Sequence, residues 1–204
     1  MTAQLLDRST DSAASEPRIR LSAAGILRSE WIKLISLRST VWSYAVLVLL
    51  SLGLAALMAA TLAPETGAAI PDEVQVGFIS QVSSFPVVLG QLIVAVLGVL
   101  LISGEYGTGM IRSTFSAVPR RLPVLWAKSA VLFVSTFVVG LVATVGSYLV
   151  ASPILAASGV SAPITDPDVL RAIVGGALYL SLVALFALGV GTIVRSSAGG
   201  IAVV

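Results

Sequence analysis

The chain contains no cysteine and no histidine. That excludes disulfides, thiolate chemistry, imidazole bases and the usual zinc sites. Charge is scarce as well, with 11% Asp, Glu, Lys and Arg against 57% hydrophobic residues over 204 positions. A soluble domain of this size could not hide so much apolar surface in its core. The composition therefore predicts an all-α, polytopic transmembrane helical bundle.

The charge-free gaps locate the spans. No charge lies from Ser39 to Pro64, from Val74 to Gly104, from Ser129 to Thr165 or from Ala172 to Val194. About 22 helical residues cross a hydrocarbon core of about 30 Å. Four complete spans are expected near 41–62, 82–103, 130–151 and 172–194, within a transmembrane domain over 39–204. A signal peptide does not fit, because the first hydrophobic region begins about 40 residues in and is too long for an h-region.

The basic residues orient the bundle. Eleven of the twelve fall before span one, between spans two and three, or after span four; Arg171 is the exception. A cytoplasmic N-terminus puts those eleven inside, and leaves Glu65, Asp72, Glu73, Asp166 and Asp168 on the outer loops. Residues 1–20 mix both signs of charge with Ser, Thr and Ala and read as a disordered cytoplasmic tail.

Residues 21–38 carry a helical pattern. Leu27, Trp31, Leu34 and Ile35 share one face, with Ser29, Lys33 and Ser36 opposite, and Glu30 and Lys33 form an i,i+3 pair. Trp31 flanked by Lys33 and Arg38 suits a helix lying in the inner interface. On the outer side, Asp166 suits an N-cap with Pro167 at the first helical position. Pro71-Asp72-Glu73 reads the same way, and Pro86 predicts a kink or break near the outer end of span two.

No ionisable side chain falls near a span midplane, where ion-coupled carriers commonly place one. The spans hold Ser51, Gln91, Ser135, Thr136, Thr144, Ser147 and Ser181, groups that mostly serve helix packing. Gln91 is the largest of those in a span interior and the candidate for a transport pathway; an interhelical hydrogen bond is its alternative. Paired aspartates for intramembrane proteolysis are missing. The nearest approach to a phosphate-binding loop, Trp126-Ala127-Lys128-Ser129, has no glycine before the lysine. The chain has no nucleotide site of its own, so it is not expected to be an enzyme and needs no cofactor.

The 25 residues Gly104 to Lys128, GEYGTGMIRSTFSAVPRRLPVLWAK, hold four of the twelve basic residues. Ile111, Phe115 and Val118 fall on one helical face, with Arg112, Ser113 and Ser116 away from it. Pro119 stops the helix ahead of Arg120 and Arg121, and Trp126 with Lys128 fits the inner interface. A short amphipathic helix in a charged loop can serve orientation only, or can receive a partner.

This loop resembles the cytoplasmic signature of ABC transporter permeases of the type 2 exporter family. The resemblance rests on Gly104-Glu105-Tyr106, Thr108-Gly109-Met110-Ile111-Arg112, Pro119-Arg120-Arg121 and Ala127-Lys128. Ser29-Glu30-Trp31-Ile32-Lys33-Leu34 and Leu37-Arg38-Ser39-Thr40 are similar to the family's N-terminal interfacial helix. The resemblance implies a permease paired with a second copy or paralogue in the cell membrane, driven by a cytosolic ATPase that carries the ATP and Mg²⁺. It implies that 104–128 is a coupling loop, with Glu105, Ile111, Arg112, Phe115, Arg120 and Arg121 at the partner contact and no role in binding nucleic acid. Family members have six spans; here SSAGGIAVV at 196–204 looks like the start of a fifth, so about two further spans are expected beyond it. A non-transporting anchor or sensor subunit is the alternative function, and a passive channel a third.

Overall fold

The computed structural model describes residues 23–63, 71–107 and 121–204. Among them the regular elements are all helices, in the order α1 (Ala23–Ser36), α2 (Arg38–Leu62), α3 (Asp72–Ser84), α4 (Pro86–Gly107), α5 (Arg121–Ala156), α6 (Pro167–Val194) and α7 (Ser197–Val203). Four helical stretches are long and apolar enough to cross a membrane: α2, the α3–α4 pair, α5 and α6. The protein is a multi-pass membrane helical bundle. The tail at 1–20 lies outside the described residues.

The element boundaries shift several expectations. Arg38 is not part of the first helix: Leu37 is extended and Arg38 opens α2. The second span does not begin at Val82. It is preceded by α3, and the chain turns at Phe85 before Pro86 starts α4. Proline at position 86 has no N–H to give the Val82 carbonyl, so the break falls where the ring requires it. Span three is a 36-residue helix rather than one of 22, roughly 54 Å long at about 1.5 Å per residue. The segment between α4 and α5 is correspondingly shorter than 104–128, because Gly104 and Gly107 are helical.

The ends of α6 follow local chemistry. Asp166 caps it, its Oδ1 accepting the Asp168 N–H at 2.9 Å, with Pro167 at the first position. Arg171 donates to Asp168 one turn on. At the far end Arg195 adopts the left-handed conformation (φ 54°) and its N–H closes on the Gly191 carbonyl. Its guanidinium lies over the Tyr106 ring, 5.8 Å from the centroid.

In lipid there is no hydrophobic drive between helices, so close backbone approach and interhelical hydrogen bonds must hold the bundle. α6 is the central helix, touching α3, α4, α5 and α7. Its closest approach to α4 is through glycine. A Cβ at Gly98 would collide with the Ala184 carbonyl and stand 2.9 Å from the Ala187 Cβ; one at Gly191 would stand 2.6 Å from Ile102. Two apolar layers result. Leu47, Val94, Leu97, Leu132, Leu180 and Leu188 fill the half nearer α1. Ile79, Tyr148, Leu155, Val160, Val169 and Ile173 fill the other.

The polar groups of the spans mostly pair across helices. Tyr44 of α2 shares hydrogens with Ser135 (3.0 Å) and Thr136 (2.8 Å) of α5. Thr144 donates to the Ile173 carbonyl, Ser147 to that of Ser51, and Tyr148 to that of Ala162. Gln91 of α4 accepts from the Tyr179 hydroxyl of α6. Its side-chain oxygen is thus engaged in an interhelical bond. Ser181 bonds back to its own helix at Ala177.

Candidate functional site

The charged residues that sequence reading scattered among three segments meet at one end of the bundle. Glu30 and Lys33 come from α1, Glu105 from the last turn of α4, and Lys128 from the second turn of α5. Lys128 Nζ donates to Glu30 Oε2 at 2.6 Å and to Glu105 Oε1 at 2.8 Å. Lys33 Nζ donates to Glu30 Oε1 at 2.8 Å and approaches Glu105 Oε1 at 3.8 Å. The four charges alternate around a closed ring, with two ammonium groups each facing both carboxylates.

Helix geometry explains half of this ring. Residues three apart lie one turn from each other on the same helix face, which joins Glu30 to Lys33. The other half requires three helix ends to converge. Glu30 and Leu34 lie one turn apart and are the inward residues of α1, both buried. The Glu30 and Lys128 side chains are each 3% exposed, so both charges have left water.

Burial alone would raise the Glu30 pKa. The Lys128 charge and its hydrogen bond, together with Lys33, outweigh burial and hold the carboxyl below its ordinary value. For Lys33 burial pulls downward, and the Glu30 hydrogen bond with the Glu30 and Glu105 charges turns the shift upward. Both directions favour the ionised ring. Its formal charge is zero, and removing any one member leaves a net unit charge at a site where Glu30 and Lys128 are buried.

The expected site residues divide. Lys33 and Glu105 are in the ring. Arg38, at the start of α2, is exposed and outside it. Trp31 is 43% exposed on the outer side of α1. Leu27 and Ile35 are exposed beside it, so the apolar face read from periodicity does not pack inward; only Leu34 does. Gln91 lies away from the ring, bonded to Tyr179. Ile111, Arg112, Phe115 and Arg120 lie outside the described residues, and Arg121 is the first residue of α5.

Two members were misjudged from sequence. Lys128 is not an interfacial anchor beside Trp126: the tryptophan is 74% exposed while the lysine is buried. Glu30 is more than half of a surface ion pair, since its second oxygen belongs to α5. A signal for both was present. Glu30 and Glu105 are the acids that border spans on the strongly basic side, and each called for a cation beyond its own helix.

Among the described residues no group of three or more acidic side chains could hold a metal ion. Both ring carboxylates are instead engaged by the Lys33 and Lys128 ammonium groups. Comparison of the chain with protein-family models, with curated proteins and with solved structures gives no match in any of the three.

Proposed function

We propose that the chain is the membrane permease subunit of an ATP-driven exporter, with its N-terminus in the cytoplasm. A separate cytosolic ABC ATPase, carrying ATP and Mg²⁺, docks on the segment between α4 and α5, and a second copy or paralogue completes the pathway in the cell membrane. The observation that carries this reading is that Lys128 and Glu105, on either side of 108–120, are bound to each other and tied to α1, Lys128 by Glu30 at 2.6 Å and Glu105 by the longer approach of Lys33 at 3.8 Å. A push on that segment reaches the last turn of α4 and the second turn of α5. The ring passes it to α1 and thence to α2, which begins two residues after α1 ends.

The ring suits that task because it resists piecemeal opening. Each charge has two partners, so drawing one helix end out of the ring breaks two ion pairs at once. The positive-inside distribution supports the orientation, since ten basic residues precede span three's apolar run or lie ahead of span one.

Orientation is checked by single cysteines, which report cleanly because the chain has none of its own. In whole cells an impermeant maleimide should label Cys placed at Ser161 and spare Cys placed at Ser116. Labelling at Ser116 from outside would reverse the bundle and remove the ATPase from reach.

Docking is checked by Phe115→Asp. A carboxylate pressed against an apolar groove costs several kcal/mol, enough to weaken co-purification with the ATPase by about 100-fold. The variant should still insert and accumulate normally. Undiminished ATPase binding would return the segment to a purely orienting role.

A further inference from the structure

A cavity of about 410 Å³ opens beside the ring, between α1, the start of α2, α4 and α5. Its walls are Leu34, Leu37, Leu100, Leu101 and Val131; its polar edge is the ring itself with Ser36 and Ser39. The apolar walls offer water no hydrogen-bond partners, in contrast to the polar edge. Two of its wall residues, Leu37 and Leu100, are themselves exposed, so the cavity opens onto an apolar surface of a membrane bundle.

We propose that this cavity holds an acyl chain of one membrane phospholipid, with the lipid phosphate at Lys33. The polar edge selects the headgroup. Lys128 is enclosed, with both carboxylates within 2.8 Å. Lys33 is different: its side chain is 35% exposed and its second carboxylate stands at 3.8 Å, so its ammonium keeps a face for an outside anion. Beside it α2 starts with no side chain capping its first turn, which adds the positive end of a 25-residue helix. A phosphate diester answers that edge, and the five apolar side chains answer a hydrocarbon tail. A soluble anion would leave the walls unfilled, and a neutral lipid would make no use of the exposed part of Lys33.

This inference does not depend on an ATPase and is tested on the isolated chain. The purified protein in mild detergent is titrated with dioleoylphosphatidylglycerol and read by native mass spectrometry. One lipid per chain should survive detergent washing, and should be preferred over dioleoylglycerol by at least tenfold. Leu100→Trp, which fills the cavity from a side chain already 40% exposed, should lower retention at least tenfold. Leu149→Trp, at a 61% exposed position on α5 away from the cavity, should leave it unchanged.

Equal retention in Leu100→Trp and Leu149→Trp would overturn the cavity assignment. Equal retention of diacylglycerol by the unaltered chain would overturn the phosphate contact without needing any variant. Displacement of the lipid by millimolar inorganic phosphate would show an anion site with no use for the tail, and would also overturn it.

Discussion

Lys128→Met is expected to destabilise the folded bundle by about 3–5 kcal/mol, the range found when one partner of a buried ion pair is removed. Methionine keeps the length and most of the packing, so the loss is electrostatic. Glu30 and Glu105 would then share the single ammonium of Lys33, which stands 3.8 Å from Glu105. Thermal unfolding in detergent should show a midpoint lower by roughly 10 °C. Glu30→Gln removes much of the stranded charge, so Lys128→Met should cost less in that background, with a coupling above about 1 kcal/mol. A single-variant cost under about 1 kcal/mol would mean that the ring is solvated and mechanically idle.

The same ring sets the pH limits of stability. Glu30 has its folded pKa below the ordinary 4.5, so its contribution is complete above that value and is lost as pH falls through the lower folded pKa. Lys33 has its folded pKa above the ordinary 10.5, so its contribution is complete below that value and is lost as pH climbs past the folded pKa. Unfolding midpoints should be flat between these limits. Glu30→Gln should shrink the acid decline.

Gly98→Ala and Gly53→Ala are expected to act in opposite directions. At Gly98 the added methyl meets the Ala184 carbonyl and the Ala187 Cβ, and these are backbone and near-backbone atoms that cannot swing away. Overpacking of this kind costs about 1–3 kcal/mol, and Gly98→Leu should cost more. At Gly53 nothing lies within 4 Å of the new atom. There alanine improves helix propensity, by up to about 1 kcal/mol. The contrast isolates helix contact from helix propensity, since both positions are interior to long helices. Equal effects in unfolding assays would show that α4 and α6 do not approach as closely as Gly98 implies.

Much of the bundle is legible in one dimension. Lipid forbids charge along a span, so the gaps between charged residues mark the four crossings directly. Asp166 with Pro167 marks the start of α6, and Pro86 marks the break between α3 and α4, because each signal acts within one turn. What sequence could not give is which helix ends converge. Glu30 and Lys128 are separated by 98 residues, and helical periodicity says nothing about partners at that distance. Lys128 beside Trp126 fits an interfacial anchor and a buried counter-ion equally well on paper. Only the packing of α1 across the ends of α4 and α5 distinguishes them. Tyr44 is silent in the sequence for a related reason: its partners Ser135 and Thr136 are ordinary span residues until α2 and α5 are placed side by side.

The 98 residues between Glu30 and Lys128 also have a meaning in time. Ribosomes add about 5–20 residues per second, so roughly 5–20 s pass between the two. During that interval α1 and the first spans must settle in the membrane while Glu30 awaits its deepest partner. Lys33, one turn away and made almost at once, gives the carboxylate a local cation for the whole wait. The i,i+3 pair thus gives Glu30 a counter-ion on its own helix before α5 has been made.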